Sequence, residues 1–180
     1  GRAEIHVVLR EFLGGELILA NRAVGGPDGP VAKKIYEIVE RMENRAKAIG
    51  EDMRGGQPTP GNIAGGLSSI EEKSLGAIVK SGHRPIQGVL EYTDRITDQK
   101  GLWIKDTPGR EPEILTGMAA TGAQVLMFST GRGAPQGFCS MPVIKICGNP
   151  ITYARMSHDM DLNAGRIITG EKTIEQVGEE

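Results

Sequence analysis

Cysteine is scarce in this chain of 180 residues: Cys139 and Cys147 are the two present. Two thiols cannot build a disulfide framework, and a reducing cytoplasm is the compartment they suit. Their spacing fits no familiar zinc pattern, and three histidines add little. Long apolar runs are lacking too. The longest, such as VLMF at 125–128, are far too short to span a bilayer, and no signal-peptide pattern opens the chain. Nor is there an excess of one charge: 21 Lys and Arg against 23 Asp and Glu leave a net −2. The basic surplus that nucleic acid demands is missing. Neither a membrane nor a nucleic acid is expected as a partner. Aromatics reach only 4%, whereas glycine is plentiful at 26, with 10 prolines, spread without a repeat. That argues against collagen or a low-complexity linker and for many tight turns and close backbone approaches. With 38% hydrophobic and 24% charged residues, the class is soluble and globular. The first residue is Gly1 and not Met, as expected of a fragment or a processed chain.

Residues 5–9 and 17–20 (LILA) read as short strands around the glycines at 14–15, followed by a turn-rich linker at 24–30. Val31, Ile35, Ile38, Val39, Met42, Ala46 and Ile49 then follow the spacing of one helical face. Pro30 suits its first turn and Gly50 its end. Lys33, Glu37, Arg41, Asn44 and Lys47 fall on the opposite face, expected to be solvated. Residues 51–67 read as loop. Ser68 and Ser69 before Glu71 and Glu72 have capping-box spacing and predict a helix over 70–81, with Gly82 a natural stop. Strands are expected at 85–92, interrupted by Gly88, and at 101–106. Helices are expected at 111–122, 150–156 and the carboxyl end, and further strands at 123–130 and 142–148. The continuous apolar run before 130 predicts a strand buried on both faces. This alternation predicts an α/β fold, a largely parallel sheet with helices packed on it, preceded by the amphipathic helix. The expected segments are 1–30 as an amino-terminal stretch and linker, 31–57 as lead-in helix and loop, and 58–180 as the main domain.

Several stretches invite a chemical reading. PTPGNIAGG at 58–66 nearly spells a phosphate loop, since Gly61, Gly66 and Ser68 have the right spacing. Leu67 stands where that loop needs lysine, so an ATP site is excluded. What survives is a loop feeding a capped helix start, which favours an anion and is equally an ordinary turn before a cap. Glu71 and Glu72 lie about 100° apart on a helix. Capping and dipole pairing explain both, and a base or metal ligand is the alternative. Asp106 in DTPG follows a strand directly, where a general base or a metal ligand would sit, and it also suits the first residue of a turn. In STGRG at 129–133 an apolar strand ends in two hydroxyls, two glycines and an arginine. Backbone N–H groups there can approach an anion, and Arg132 can grip a carboxylate with both nitrogens. Oxygen ligands alternate in SHDMDLNAG at 157–165, but the full calcium-loop pattern is absent, leaving a polar turn or a single ligand. Lys145, polar within VIKIC, faces solvent on an edge strand or points its ammonium at an acid.

Taken in order, PTPGNIAGGLSSIEEKSLGAIVKSG, DTPG, TGMAATGAQVLMFSTGRGAPQG, PVIKICGNP and DMDLNAGRIITGE resemble the carboxyl-terminal domain of the altronate and galactarate dehydratase family, to which the sulfolactate sulfo-lyase large subunit is similar. The resemblance covers roughly residues 58–180. The family usually has serine where Thr59 stands and often lysine where Ile63 stands. The resemblance implies a lyase that removes water from a hydroxylated acid to give a 2-keto-3-deoxy acid, with a divalent metal, Fe2+ being the expected ion. It implies longer, three-domain chains, so the expected partners are a small hydroxy acid and the amino-terminal and middle domains of a parent enzyme, with a homo-oligomer left open. Sulfite elimination from sulfolactate is the second reading, and a non-catalytic anion-binding or assembly domain the third. For dehydration, the candidate roles are acid–base chemistry for Lys73, Asp106 and Lys145, substrate binding for Asn62, Gly131, Arg132 and Gly133, and oxygen ligation of the metal by Glu72 and Asp161.

Overall fold

The computed structural model describes residues 3–7, 14–64, 67–96 and 98–180, and of residues 3–7 the backbone alone. The chain divides into two compact units, residues 1–117 and 118–180. The first holds β1 (Ala3–Val7), α1 (Glu16–Asn21), α2 (Pro30–Ala48), α3 (Pro60–Ala64), α4 (Ile70–Lys80), β2 (Ile86–Leu90), β3 (Gly101–Lys105) and most of α5 (Glu111–Thr121). The second holds β4 (Leu126–Thr130), β5 (Val143–Cys147), α6 (Pro150–Arg155), β6 (Leu162–Asn163), α7 (Gly165–Ile168) and α8 (Ile174–Gly178). Among the described residues every strand pairing is parallel, in two three-stranded sheets ordered β1-β3-β2 and β4-β5-β6. The α/β class expected from the sequence is the class observed.

In the first unit the core forms where α1, α2 and α4 meet the sheet. Leu19, Ile35, Ile38, Ala77, Ile78, Ile86, Leu102 and Ile104 are buried together. α2 has the expected ends, with Pro30 in its first turn and Arg45 and Lys47 in its last, charges that suit the helix dipole. Ile49, expected on the buried face, is the C-cap residue and is 77% exposed. α4 begins on Ser69, whose Oγ accepts from the Glu72 amide at 3.2 Å. LILA, expected as a strand, lies in helix α1. Four apolar residues cannot display a period, and here Leu19 and Ala20 are buried while Leu17 and Ile18 are exposed. Gly15, which precedes α1, lies so close to α4 that a Cβ would collide with Ser74 and Ile78. Of the strand expected at 5–9, the last two residues lie outside the described residues. Gly88 interrupts β2 as expected: the register with β3 shifts between Ile86 and Gly88, where the Trp103 ring occupies the space of a Cβ.

In the second unit Leu126, Ala134, Met141, Cys147, Met160 and Val177 are buried. The expectation of a strand covered on both faces does not hold for β4, because Met127 is 74% exposed. Its neighbour across the pairing, Ile144, is also exposed. A continuous apolar run reports hydrophobic side chains, not what covers them. Both cysteines are free thiols, Cys139 exposed and Cys147 buried. No helix among the described residues is long and apolar enough to cross a membrane.

Candidate active site

Three local arrangements gather the polar groups, two in the first unit and one in the second. The first is the loop of residues 57–62 with α4. Of the opening stretch PTPGNIAGG, residues 60–64 form the short helix α3, and Gly65 and Gly66 lie outside the described residues. Asn62 Oδ1 accepts from Thr59 Oγ1 at 2.8 Å, from the Thr59 amide at 3.3 Å and from Lys73 Nζ at 3.2 Å. Lys73 Nζ also donates to Gln57 Oε1 at 2.7 Å. Asn62 and Lys73, singled out separately in the sequence, are thus brought together. Glu72 turns the other way. Its Oε2 accepts from the Ser68 hydroxyl at 2.6 Å and the Ser68 amide at 2.8 Å. Those bonds hold its carboxyl below the usual glutamate range.

The second arrangement lies at the carboxyl end of the first sheet, the edge where open parallel sheets bind ligands. Glu91 follows β2 and Asp106 follows β3. Arg41 of α2 spans them, donating from Nη2 to Glu91 Oε2 at 2.7 Å and to Asp106 Oδ2 at 2.5 Å. Lys34 adds an ion pair to Glu91 at 2.8 Å. These bonds, the Arg41 bond first, push the Glu91 carboxyl down to about 2, and the Glu91 bond in turn raises the Arg41 guanidinium. Arg41 was expected on a solvated face. Its place three residues after the buried Ile38 sets it on the margin of that face, within reach of both strand ends. Beside Asp106, the side chain of Lys105 is fully buried. Its Nζ donates to the carbonyls of Glu91 at 3.0 Å and Asp94 at 3.4 Å and lies 5.8 Å from the centroid of the Tyr92 ring. Burial pushes its pKa below the ordinary lysine value. The sequence reading missed Arg41, Glu91, Lys105 and Gln57. A lysine closing the apolar run GLWIK was the one available signal.

The third arrangement belongs to the second unit. β4 ends at Thr130 and the chain turns through Gly131, Arg132 and Gly133. Thr130 Oγ1 accepts the Gly133 amide at 3.1 Å, and Thr152 Oγ1 donates to the Gly131 carbonyl at 2.9 Å. Gly133 has φ +88°, and a Cβ there would overlap the Met156 sulfur, so glycine is required on two counts. Its amide is already bonded within the turn. Arg132 is exposed and makes no ion pair with the described residues. Lys145 is not on an edge: β5 is the middle strand. Its Nζ reaches the Pro135 carbonyl at 3.1 Å, and its amide donates to Asp161 Oδ2 at 2.7 Å. Among the described residues no three His, Cys, Asp or Glu side chains converge as metal ligands. Glu72 and Asp161 are single oxygen donors, each already accepting from its own neighbourhood.

Residues 3–180 match the family described as D-galactarate/Altronate dehydratase, C-terminal. The match therefore extends over β1, α1 and α2, ahead of the phrases at 58–180 that carry the resemblance in the sequence. The chain is 40% identical over 161 residues to galactarate dehydratase (L-threo-forming) of Escherichia coli (strain K12), covering 89% of this chain and 30% of that protein. It is 35% identical over 171 residues to (2R)-sulfolactate sulfo-lyase subunit beta of Chromohalobacter salexigens, covering 94% and 43%. It is 33% identical over 169 residues to altronate dehydratase of Bacillus subtilis (strain 168), covering 92% and 32%. The chain spans less than half the length of these curated relatives.

Proposed function

Because the chain belongs to the D-galactarate/altronate dehydratase family, as its carboxyl-terminal domain, we propose that it serves a hydro-lyase that removes water from an altronate- or galactarate-like acid to give a 2-keto-3-deoxy acid. In that reaction the proton on C2 passes to a base and its electron pair forms the C2–C3 double bond. The C3–O bond breaks, the departing hydroxyl takes a proton and leaves as water, and the enol becomes the ketone by taking a proton at C3 and releasing the proton on its C2 oxygen. The protein must hold the carboxylate, stabilise the charge that develops beside it, and move two protons.

The observation that carries this reading is Arg132, an exposed guanidinium without an ionic partner among the described residues, held on a glycine turn at the carboxyl end of a strand. Such a group suits the two oxygens of a carboxylate. Gly133, at φ +88°, gives the turn its shape, and the Gly131 and Gly133 backbone is assigned with Arg132 to the acid group. Asn62 is assigned to the substrate's oxygens, and Lys73, Asp106 and Lys145 are the side chains assigned to proton transfer. A divalent ion would act as a Lewis acid when bound. Glu72 in the first unit and Asp161 in the second are the oxygen donors assigned to it, and among the described residues no three His, Cys, Asp or Glu side chains converge around either.

The test is turnover of altronate, galactarate and sulfolactate by the intact protein and by its Arg132→Ala variant. Loss of a charged hydrogen-bonding partner corresponds to about a tenfold to hundredfold rise in KM, with no change in melting temperature because the side chain is exposed. Unchanged turnover and KM in Arg132→Ala would remove the carboxylate-clamp role. A second reading, sulfite elimination, is favoured by the 35% identity to the sulfo-lyase subunit across 94% of this chain. Release of sulfite from sulfolactate, with no turnover of the sugar acids, would select it.

A further inference from the structure

Asn62 is held at one end only. The three groups around its Oδ1 are the Lys73 ammonium, the Thr59 hydroxyl and the Thr59 amide. An ammonium and a backbone N–H can only donate, so the atom they surround has to be the carboxamide oxygen. Turning the carboxamide over would set its N–H groups against those donors and lose the bonds that hold it. Lys73 is itself fixed, because its Nζ also donates to Gln57 Oε1 at 2.7 Å. At the other end, Asn62 Nδ2 makes no hydrogen bond among the described residues and is not one of the buried unpaired atoms. It therefore presents two N–H donors to solvent. Asn62 is half-buried, so the outward end is a fixed feature of the surface.

Resting on the hydroxy-acid reading above, we propose that Asn62 contacts the substrate as a donor only. Its two N–H groups bind a carboxylate or hydroxyl oxygen of the acid, and Lys73 is the positioning residue that keeps the carboxamide in that orientation. This narrows the assignment made above: Lys73 does not carry a proton in the reaction, which leaves Asp106 and Lys145 for that part. The Lys73 ammonium already faces two amide oxygens, those of Gln57 and Asn62.

Asn62→Asp separates the two ends. The substitution keeps the size of the side chain and leaves an oxygen toward Lys73 and Thr59. Outward, an acceptor replaces two donors. In the intact protein, with altronate, galactarate and sulfolactate as probes, Asn62→Asp is expected to raise KM by about tenfold to a hundredfold. Its melting temperature should equal or exceed the wild-type value, because a carboxylate binds the Lys73 ammonium more strongly than an amide does. Lys73→Met should raise KM, and Lys73→Arg, which restores a donor-only cation, should return KM most of the way with kcat preserved. Wild-type KM in Asn62→Asp overturns the inference. So does loss of kcat at unchanged KM in Lys73→Arg, the signature of a lysine proton carrier. A wild-type protein that neither binds nor turns over any of the three acids overturns the hydroxy-acid reading and this inference with it. Turnover of one acid with Asn62→Asp indifferent overturns this inference alone.

Discussion

Replacing Glu91 with glutamine should change the acid stability of the first unit in a defined pH window. The carboxylate accepts from Arg41 at 2.7 and 3.2 Å and pairs with Lys34 at 2.8 Å, and its pKa falls from the ordinary 4.5 to about 2. Taken at face value, that fall is worth about 3.4 kcal/mol. The side chain keeps 39% of its surface exposed, so solvent screens it, and exposed ion pairs measure about 0.2–1 kcal/mol each. Two pairs give about 0.4–2 kcal/mol. Between about pH 2 and 4.5 the unfolded state binds the proton that the folded state refuses, so stability falls as pH falls. The full contribution is present above that window and gone below it. Trp103 is the single tryptophan and lies in β3 of this unit. Urea titrations followed by its fluorescence therefore report the first unit without interference from the second, which a whole-chain melt would mix in. Glu91→Gln should be less stable than the wild type by about 0.4–2 kcal/mol at pH 7, and the two should converge as the pH approaches 2. The Asp106–Arg41 pair is present in both and cancels in the difference. Curves that stay parallel from pH 7 to pH 2 would refute the reasoning.

Lys105 gives a slope of the same sign at alkaline pH, from the opposite cause: burial penalises its charged form, whereas ion pairing favours that of Glu91. Burial lowers its folded pKa below the ordinary 10.5, so between the two values the unfolded chain binds more protons and stability rises with pH. The same fluorescence titration in Lys105→Met should lack that rise. At Gly133, φ +88° and the Met156 sulfur both oppose a side chain. Gly133→Ala should destabilise by about 1–3 kcal/mol, seen as an earlier calorimetric transition. A double variant with Met156→Ala should recover part of the loss, because it relieves the overlap but not the backbone strain.

The parts of the fold that local rules describe were legible in the sequence. α2 and α4 declare themselves by one buried face and by their end residues, Pro30 in one case and Ser69 in the other. The parallel α/β character follows from alternation alone. α1 was not legible, because a four-residue apolar run has no period to read. β6, at two residues, and α7, at four, are shorter than any pattern. The same division applies to the site. Asn62, Lys73, Asp106 and Arg132 stand out as residue types in suggestive places. Their partners do not, because the contact of Arg41 with Glu91 spans 50 residues and that with Asp106 spans 65. Charge on a helix face says that a side chain avoids the core. It does not say that two strand ends will meet it there.

Each three-stranded sheet runs all its strands one way, so within each sheet every strand finishes on one rim. The first sheet's rim carries Glu91 and Asp106, and the second sheet's own rim carries the turn bearing Arg132. The residues that make the frame, such as Ile86, Leu102 and Ile104, lie inside. Frame and rim are thus separable in inheritance: a rim side chain such as Glu91 can be exchanged without removing a core contact, and a core residue repacked without touching a rim charge. A substitution on either rim therefore leaves the core contacts in place even where, as at Glu91, it removes an ion pair and lowers stability.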